Sequence, residues 1–449
     1  MESDGTRQTD VAFADYEYIS PIGFSYYASA TSLSPKFYQT ILDRCWRRSG
    51  KLLYRPDQRH SCCPHYTIRL DSYEFKPSRA QRHTANRFNH FVLGDDYIKE
   101  AARLYPKTKE EAKQRNNEFI LTERIHEAEY DRIKTTPEPA HKLVITLEED
   151  NFTEEKYQVY DNYQKNVHHD PPEDRTRRSF TRFLCSSPLR RQTMTGPDGK
   201  KRRLGSYHMC YRLDGRLVAI GVLDLLPDAV SSVYFLYDES IHLFTPGKLG
   251  ALHEIALAYE EGYRWWYPGF YIHSCPKMRY KIDYAPQYIL DPQSLQWNLL
   301  DKSVLSLLDK RPFVSLYLER QKGAEKSDTE EPPPSKAPKL NGSSEQDSAA
   351  KTNGKEKAEE KSEDDDDGDH SLFHSKMPGI LSLSDMEKMD LDHIALKGMR
   401  TGPLYKTSDL IGWDSSTISK WPGVRAGVAE LVSALGADSV DVLCIDLTR

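Results

Sequence analysis

Ser206–Leu226 reads SYHMCYRLDGRLVAIGVLDLL, two runs rich in β-branched and aromatic residues joined by Asp214-Gly215. Asp-Gly between such runs marks a tight hairpin, so 206–213 and 216–226 are expected to pair as antiparallel strands. Ser231–Tyr237 supplies a third strand. Gly247-Lys-Leu-Gly250 then opens a helix whose apolar positions Leu249, Leu252, Ile255 and Tyr259 recur at helical spacing, and Gly262 stops it. Trp265–His273 is expected to return as a further strand. This order predicts an α+β architecture built on a mixed sheet.

Upstream, Lys142–Leu147 reads as another strand, and Thr153 caps a helix with Glu154 and Glu155 in its first turn. Tyr157, Tyr160, Tyr163 and Val167 fall on one face of that helix, to pack on the sheet. These elements outline a main domain over residues 141–320. Residues 16–90, rich in Tyr, Trp and Cys and containing the strand pattern His65–Leu70, form a smaller N-terminal α+β module. Residues 95–140 are charged and helix-prone, with Pro106 as the break. Residues 1–15 are expected to be disordered, as is the Lys/Glu/Ser/Pro/Asp-rich linker 321–375. Residues 376–449 regain Ile, Leu, Val and Trp and are expected to pack on the core.

The 449 residues are 38% hydrophobic, with a mean hydropathy of −0.71, as expected for ordered domains diluted by polar chain. No run of eighteen apolar residues exists, and Met1–Asp15 lacks the apolar centre of a signal peptide. Seven cysteines argue against a disulfide framework. A cytoplasmic protein is expected, with the nucleus also open to it and no membrane partner. The net charge of −6 is uneven. Lys355–Asp369 holds nine acids and three lysines, whereas Arg175–Arg203 holds ten Lys/Arg and one acid. The basic block reads either as a phosphate contact or as a solvated loop.

Several sites are excluded. There is no phosphate-binding G-x-x-x-x-G-K-[ST] loop, and Leu257 stands where a zinc protease beginning at His253-Glu254 needs its second histidine. His168-His169-Asp170 sits at a helix end, where adjacent histidines are usually surface residues. The Gly247 helix aims free backbone N–H groups above the sheet, as acetyltransferase-like (GNAT) folds do to hold pyrophosphate.

Asp43–Gly50 (DRCWRRSG), Cys62–Arg69 (CCPHYTIR), Phe183–Leu189 (FLCSSPL), Ser231–Tyr237 (SSVYFLY), Leu252–Leu257 (LHEIAL) and Gly269–Lys281 (GFYIHSCPKMRYK) follow in order. Together these blocks resemble eukaryotic arginyl-tRNA–protein transferases, over roughly 16–292. The resemblance implies transfer of arginine from arginyl-tRNA to the α-amine of proteins with acidic N-terminal residues (Asp, Glu or oxidised Cys). That marks them for N-degron degradation. It also implies a GNAT-like catalytic domain, with tRNA and acidic N-termini as partners and no DNA. Family members carry Cys-Gly-Tyr-Cys near the N-terminus, which with the Cys-Cys pair ligates a metal or iron–sulfur cluster. Here Ile22-Gly-Phe-Ser25 stands in that place, so Cys62 and Cys63 are left as the only thiols of the set. No cofactor is therefore expected, and apolar packing around Ile22 and Phe24 is expected instead.

The ester of arginyl-tRNA is already activated, so positioning and loss of the amine proton carry the reaction. Asp224 interrupts an apolar strand and is expected near the reacting amine or the arginine guanidinium, and Glu254 is the second catalytic candidate. Arg47, Arg48 and Arg69 are candidates for gripping an acidic N-terminus, with Tyr234 and Tyr237 also on the substrate. The tRNA candidates are Arg190, Arg191, Lys248, Tyr271, His273, Lys277, Arg279, Tyr280 and Lys281, where cations alternate with stacking rings. The competing readings are a non-catalytic tRNA- or degron-binding protein and an acyl-CoA N-acetyltransferase.

Overall fold

The computed structural model describes residues 9–13, 25–327 and 371–448. Strands β1 (Thr9–Phe13), β2 (Ser25–Ser32), β3 (Arg47–Ser49) and β4 (Leu52–Pro56) come first. They are followed by β5 (Tyr66–Asp71), β6 (Leu143–Glu149), β7 (Gln192–Thr195), β8 (Lys201–Leu213), β9 (Arg216–Leu226) and β10 (Ala229–Tyr237). Then come β11 (Trp265–Tyr267), β12 (Phe270–Tyr271), β13 (Gln287–Leu290), β14 (Trp297–Leu299), β15 (Ala395–Lys397), β16 (Tyr405–Lys406) and β17 (Leu443–Asp446).

The larger sheet runs β14-β13-β5-β11-β10-β9-β8-β6, with β12 beside β5 and β7 beside β8. The Asp214-Gly215 hairpin pairs β8 with β9, both turn residues taking positive φ (53° and 82°). β9 is buried along nearly its whole length because helices cover both faces. Leu217, Ile220 and Val222 face Val159 and Tyr160 of the Glu154–Tyr163 helix, whereas Val218, Leu223 and Leu225 join Leu252 and Ile255 of the Pro246–Glu260 helix. From Ala219 to Leu225 the period-two alternation feeds two cores at once, and a bulge at Val218 shifts Leu217 and Val218 out of that phase.

The second sheet runs β16-β15-β17-β1-β2-β4-β3. β17 lies parallel to β1 and β15 parallel to β17, so strands from both ends of the chain complete one sheet. Its core holds Trp46, Trp413, Leu431 and Leu435. Strand β5, in the N-terminal part of the chain, pairs with β11 and β13 of the larger sheet. The Leu316–Ser327 helix and the buried Leu372 bring described structure into both ends of the expected 321–375 linker. Its middle, and the contacts expected around Ile22 and Phe24, lie outside the described residues. Among the described residues no helix is long and apolar enough to cross a membrane.

The predicted strand Trp265–His273 divides into β11 and β12 at Pro268-Gly269, where Gly269 has φ 83°. β10 and β11 run parallel and pair only over Ala229–Ser231 and Trp265–Tyr267. Beyond that, β12 pairs with β5, and β10 carries a register shift between Ser232 and Tyr234. The two strands therefore part, and the gap between them becomes a cavity.

Candidate active site

A cavity of about 550 Å³ fills the gap between β10 and β12. Its walls include Arg47 of β3, Ser231–Phe235 and Tyr237 of β10, Gly247 and Glu254 of the Pro246–Glu260 helix, and Tyr280 and Lys281 after β12. Tyr163 closes one side with its ring edge-on to Tyr234 and Tyr237, at centroid distances of 6.1 and 5.0 Å. At Gly250 an added Cβ would come within 2.2 Å of the Phe235 ring, so the helix packs this close only because that position is glycine.

Glu254 is buried and accepts a 2.8 Å hydrogen bond from the Trp266 indole N–H. Burial pushes its carboxyl up to about 7, against the lowering effects of Trp266, Ser232 and Lys281. Lys281 is also buried and donates to the Phe270 carbonyl oxygen at 2.7 Å. Burial, then the nearby Arg47 guanidinium, bring the Lys281 ammonium down to about 8. Arg47 is 6% exposed and uses Nη1 on the Trp46 carbonyl oxygen at 2.7 Å, while its Nε and Nη2 have no partner. Its guanidinium lies 4.9 Å over the Phe270 ring. Both nitrogens are buried at the cavity wall, where their N–H groups lack an acceptor.

Asp224 belongs to a different structure. Its two oxygens accept from Arg48 Nε at 2.7 Å and Nη2 at 2.6 Å, and Ser206 Oγ donates to it as well. The pair is fully buried and bridges β3 of one sheet to β9 of the other. Asp224 therefore has its cation from within the chain, and Arg48 is not free to grip a substrate. Arg48 still borders the cavity, whereas Arg69 is held away from it. Its guanidinium lies 3.6 Å over Trp265 and 4.0 Å over Trp297, and it donates to the Tyr267 hydroxyl.

The expected basic strip is divided. Lys277, Tyr280 and Lys281 line the cavity, whereas His273 bonds Tyr271 and Asp309 at 2.6 and 2.8 Å. Tyr271 is completely buried, so its ring has no free face for stacking. Arg279 is exposed at the end of the short Pro276–Arg279 helix, and Lys248 is half-buried in the first turn of the Pro246–Glu260 helix. In the basic block Arg191 pairs with Asp150 and Glu149, and Arg190 lies half-buried beside it. Arg178 and Arg182 remain exposed and, among the described residues, without an acidic partner, beside a second cavity shared with Lys51.

Tyr163, Trp266, Ser232 and His65 reach the cavity region unforeseen. Tyr163 carried only a packing signal in the sequence, and the others lay in a quoted block or predicted strand without being singled out, because each depends on where distant strands meet. The Cys62 and Cys63 sulfurs lie 3.5 Å apart, both accessible. Among the described residues these thiols join no group of three or more ligands able to converge on an ion. Two thiols fit neither a structural zinc nor a four-cysteine cluster.

A buried acid with its pKa near neutrality, beside two buried cations in a cavity, is the equipment of an enzyme acting on charged or protonated substrates. Residues 8–83 match the family model for the arginine-tRNA-protein transferase N terminus, and residues 155–291 the model for its C terminus. Arginyl-tRNA--protein transferase 1 of Drosophila melanogaster is 27% identical over 390 residues, covering 64% of this chain and 80% of the relative. The Saccharomyces cerevisiae protein of that name is 30% identical over 267 residues (56% and 48%), and the Arabidopsis thaliana one 40% over 184 residues (39% and 28%). The chain thus carries segments matching both the N-terminal and the C-terminal domain of the arginyl-tRNA–protein transferase family.

Proposed function

We propose that the protein transfers arginine from arginyl-tRNA to the α-amino group of proteins with acidic N-terminal residues, and that the β10–β12 cavity is where this occurs. The observation that carries the reading is Glu254, a buried carboxyl with a pKa of about 7 at the cavity wall. An α-amine has a free pKa of about 8, so a base poised near 7 can take its proton at working pH. The neutral nitrogen then attacks the ester carbonyl carbon of arginyl-tRNA. The carbon–oxygen bond to the ribose breaks, and that ribose oxygen leaves with a proton, leaving arginine joined through a new amide bond.

Arg47 supplies the second element. The N–H groups on its two unpartnered nitrogens suit the side-chain carboxylate of an N-terminal Asp or Glu, and a lysine in that position would meet repulsion from Arg47 and Lys281. Tyr163, Tyr234 and Tyr237 offer an aromatic wall for the guanidinium of the transferred arginine. Lys277 and Tyr280 at the rim, with Arg178, Arg182 and Lys51 beyond it, suit the phosphates and unstacked bases of a tRNA acceptor end. The parted strands and crossover helix are the features that motivate a GNAT-like description of this domain.

The test is transfer of labelled arginine from arginyl-tRNA to peptides beginning with Asp, Glu or Lys. Label on the Asp and Glu peptides alone is expected. Binding of tRNA without label on any peptide would refute the catalytic reading.

A further inference from the structure

The helix that carries Glu254 holds a second group of ionisable side chains outside the cavity. His253, one residue earlier, is 3% exposed, and its Nδ1 is buried without a hydrogen-bond partner. Its ring lies 5.5 Å from that of His126, which comes from the segment preceding β6. His126 Nδ1 bonds Glu129, and its Nε2 lies 3.3 Å from Oε2 of Glu260 at the end of the same helix. One ligand atom from each of His126, Glu129 and His253 lies within 4.8 Å of the others.

We propose that His126, Glu129 and His253 bind a divalent transition-metal ion of the zinc class, with Glu260 completing the site at its solvent edge. Three arguments converge. First, a buried imidazole nitrogen with no partner is costly, and in the tautomer that leaves it unprotonated it presents a lone pair to its neighbours. Second, Glu129 and Glu260 approach His126 one at each ring nitrogen, so two carboxylates converge beside the two imidazoles. Their combined charge matches that of a divalent cation. Third, two imidazoles with carboxylate oxygens make a donor set suited to zinc and ill suited to magnesium or calcium, which favour all-oxygen shells. Ligand atoms around tetrahedral zinc lie roughly 3.3 Å apart, so the site closes by side-chain adjustment of about 1 Å.

The ion would act as a clamp. Glu129 is bridged to Leu143 at the start of β6, and His253 sits mid-helix, so the site ties the 126–129 segment to the helix bearing Glu254. It shares no residue with the cavity and does not depend on the arginyl-transfer reading.

The experiment is metal loading of the full-length protein with zinc or cobalt, followed by dialysis and elemental analysis. About one ion per chain is expected to remain in the unmodified protein and in a Cys62→Ser/Cys63→Ser double variant. Bound cobalt should give visible ligand-field bands without thiolate charge transfer. His126→Gln and His253→Gln should each lower retention to near zero and abolish the rise in melting temperature that zinc gives. If His253→Gln does not fold, Glu129→Gln and the cobalt spectrum of the unmodified protein decide. No retained metal in the unmodified protein, retention unchanged by both histidine variants, or loss in the cysteine variant would overturn the proposal.

Discussion

Arg48 and Arg47 are neighbours on β3, both buried, and they are used in opposite ways. Arg48 spends its donors on Asp224 and on Ser206, closing a circuit between the two sheets. Arg47 leaves two of its nitrogens unspent at the cavity, near a lysine and a glutamate whose pKa values burial has moved toward neutrality. A charge network satisfied from within holds architecture together. One left incomplete at a cavity stores electrostatic free energy that a substrate can release.

That contrast can be broken at several points. The largest effect is expected from Asp224→Ala, which strands Arg48 in the core and should lower stability by about 3–5 kcal/mol. Urea unfolding measures it, and a loss below about 1 kcal/mol would mean that the pair does not join the sheets. Arg47→Met keeps much of the volume but removes the free donors. Transfer to Asp and Glu peptides should fall by about 1.5–3 kcal/mol in kcat/KM, with much less change in unfolding midpoint. Gly250→Ala forces a methyl against Phe235 and should cost about 1–3 kcal/mol of stability while narrowing the cavity.

The most gradual effect is a pH slope. Glu254 has a carboxyl value near 4.5 in the unfolded chain and about 7 when buried. Between these values the folded state keeps a proton that the unfolded chain has released. Stability contributed by this group is thus fully present below about 4.5 and lost as pH rises through 7, by at most about 1.4 kcal/mol per pH unit. Comparing unfolding curves of the unmodified protein and Glu254→Gln across that window isolates it, because the glutamine variant should lack this component.

The hairpin, the crossover helix and the family blocks were legible because each is local: a two-residue turn, a 3.6-residue period, a contiguous motif. Glu254 stood out for its place in the helix, and Arg47 for its motif. What distinguishes Arg47 from Arg48 was not legible, since both precede Ser49 in one short strand and only the partner across the sheets separates them. Asp224 was expected to await a cation because the sequence marks a carboxylate in an apolar strand but not the arginine 176 positions away that neutralises it. The division of Trp265–His273 into two strands was signalled by Pro268-Gly269, yet only the pairing of β12 with β5 turns that break into a cavity. Tyr271 and Lys281 look like exposed strand-edge groups in the sequence, and tertiary burial removes both from that surface.

Single-turnover arginine transfer to an Asp-initiated peptide across pH 5.5–9 tests whether Glu254 takes the proton of the attacking amine. The unmodified protein should show a rise with an inflection near 7, in addition to the one the amine itself gives at about 8. Glu254→Gln should transfer about 10²–10⁴-fold more slowly and lose the inflection near 7 alone. An unchanged rate and an unchanged profile in a folded Glu254→Gln variant would contradict the account.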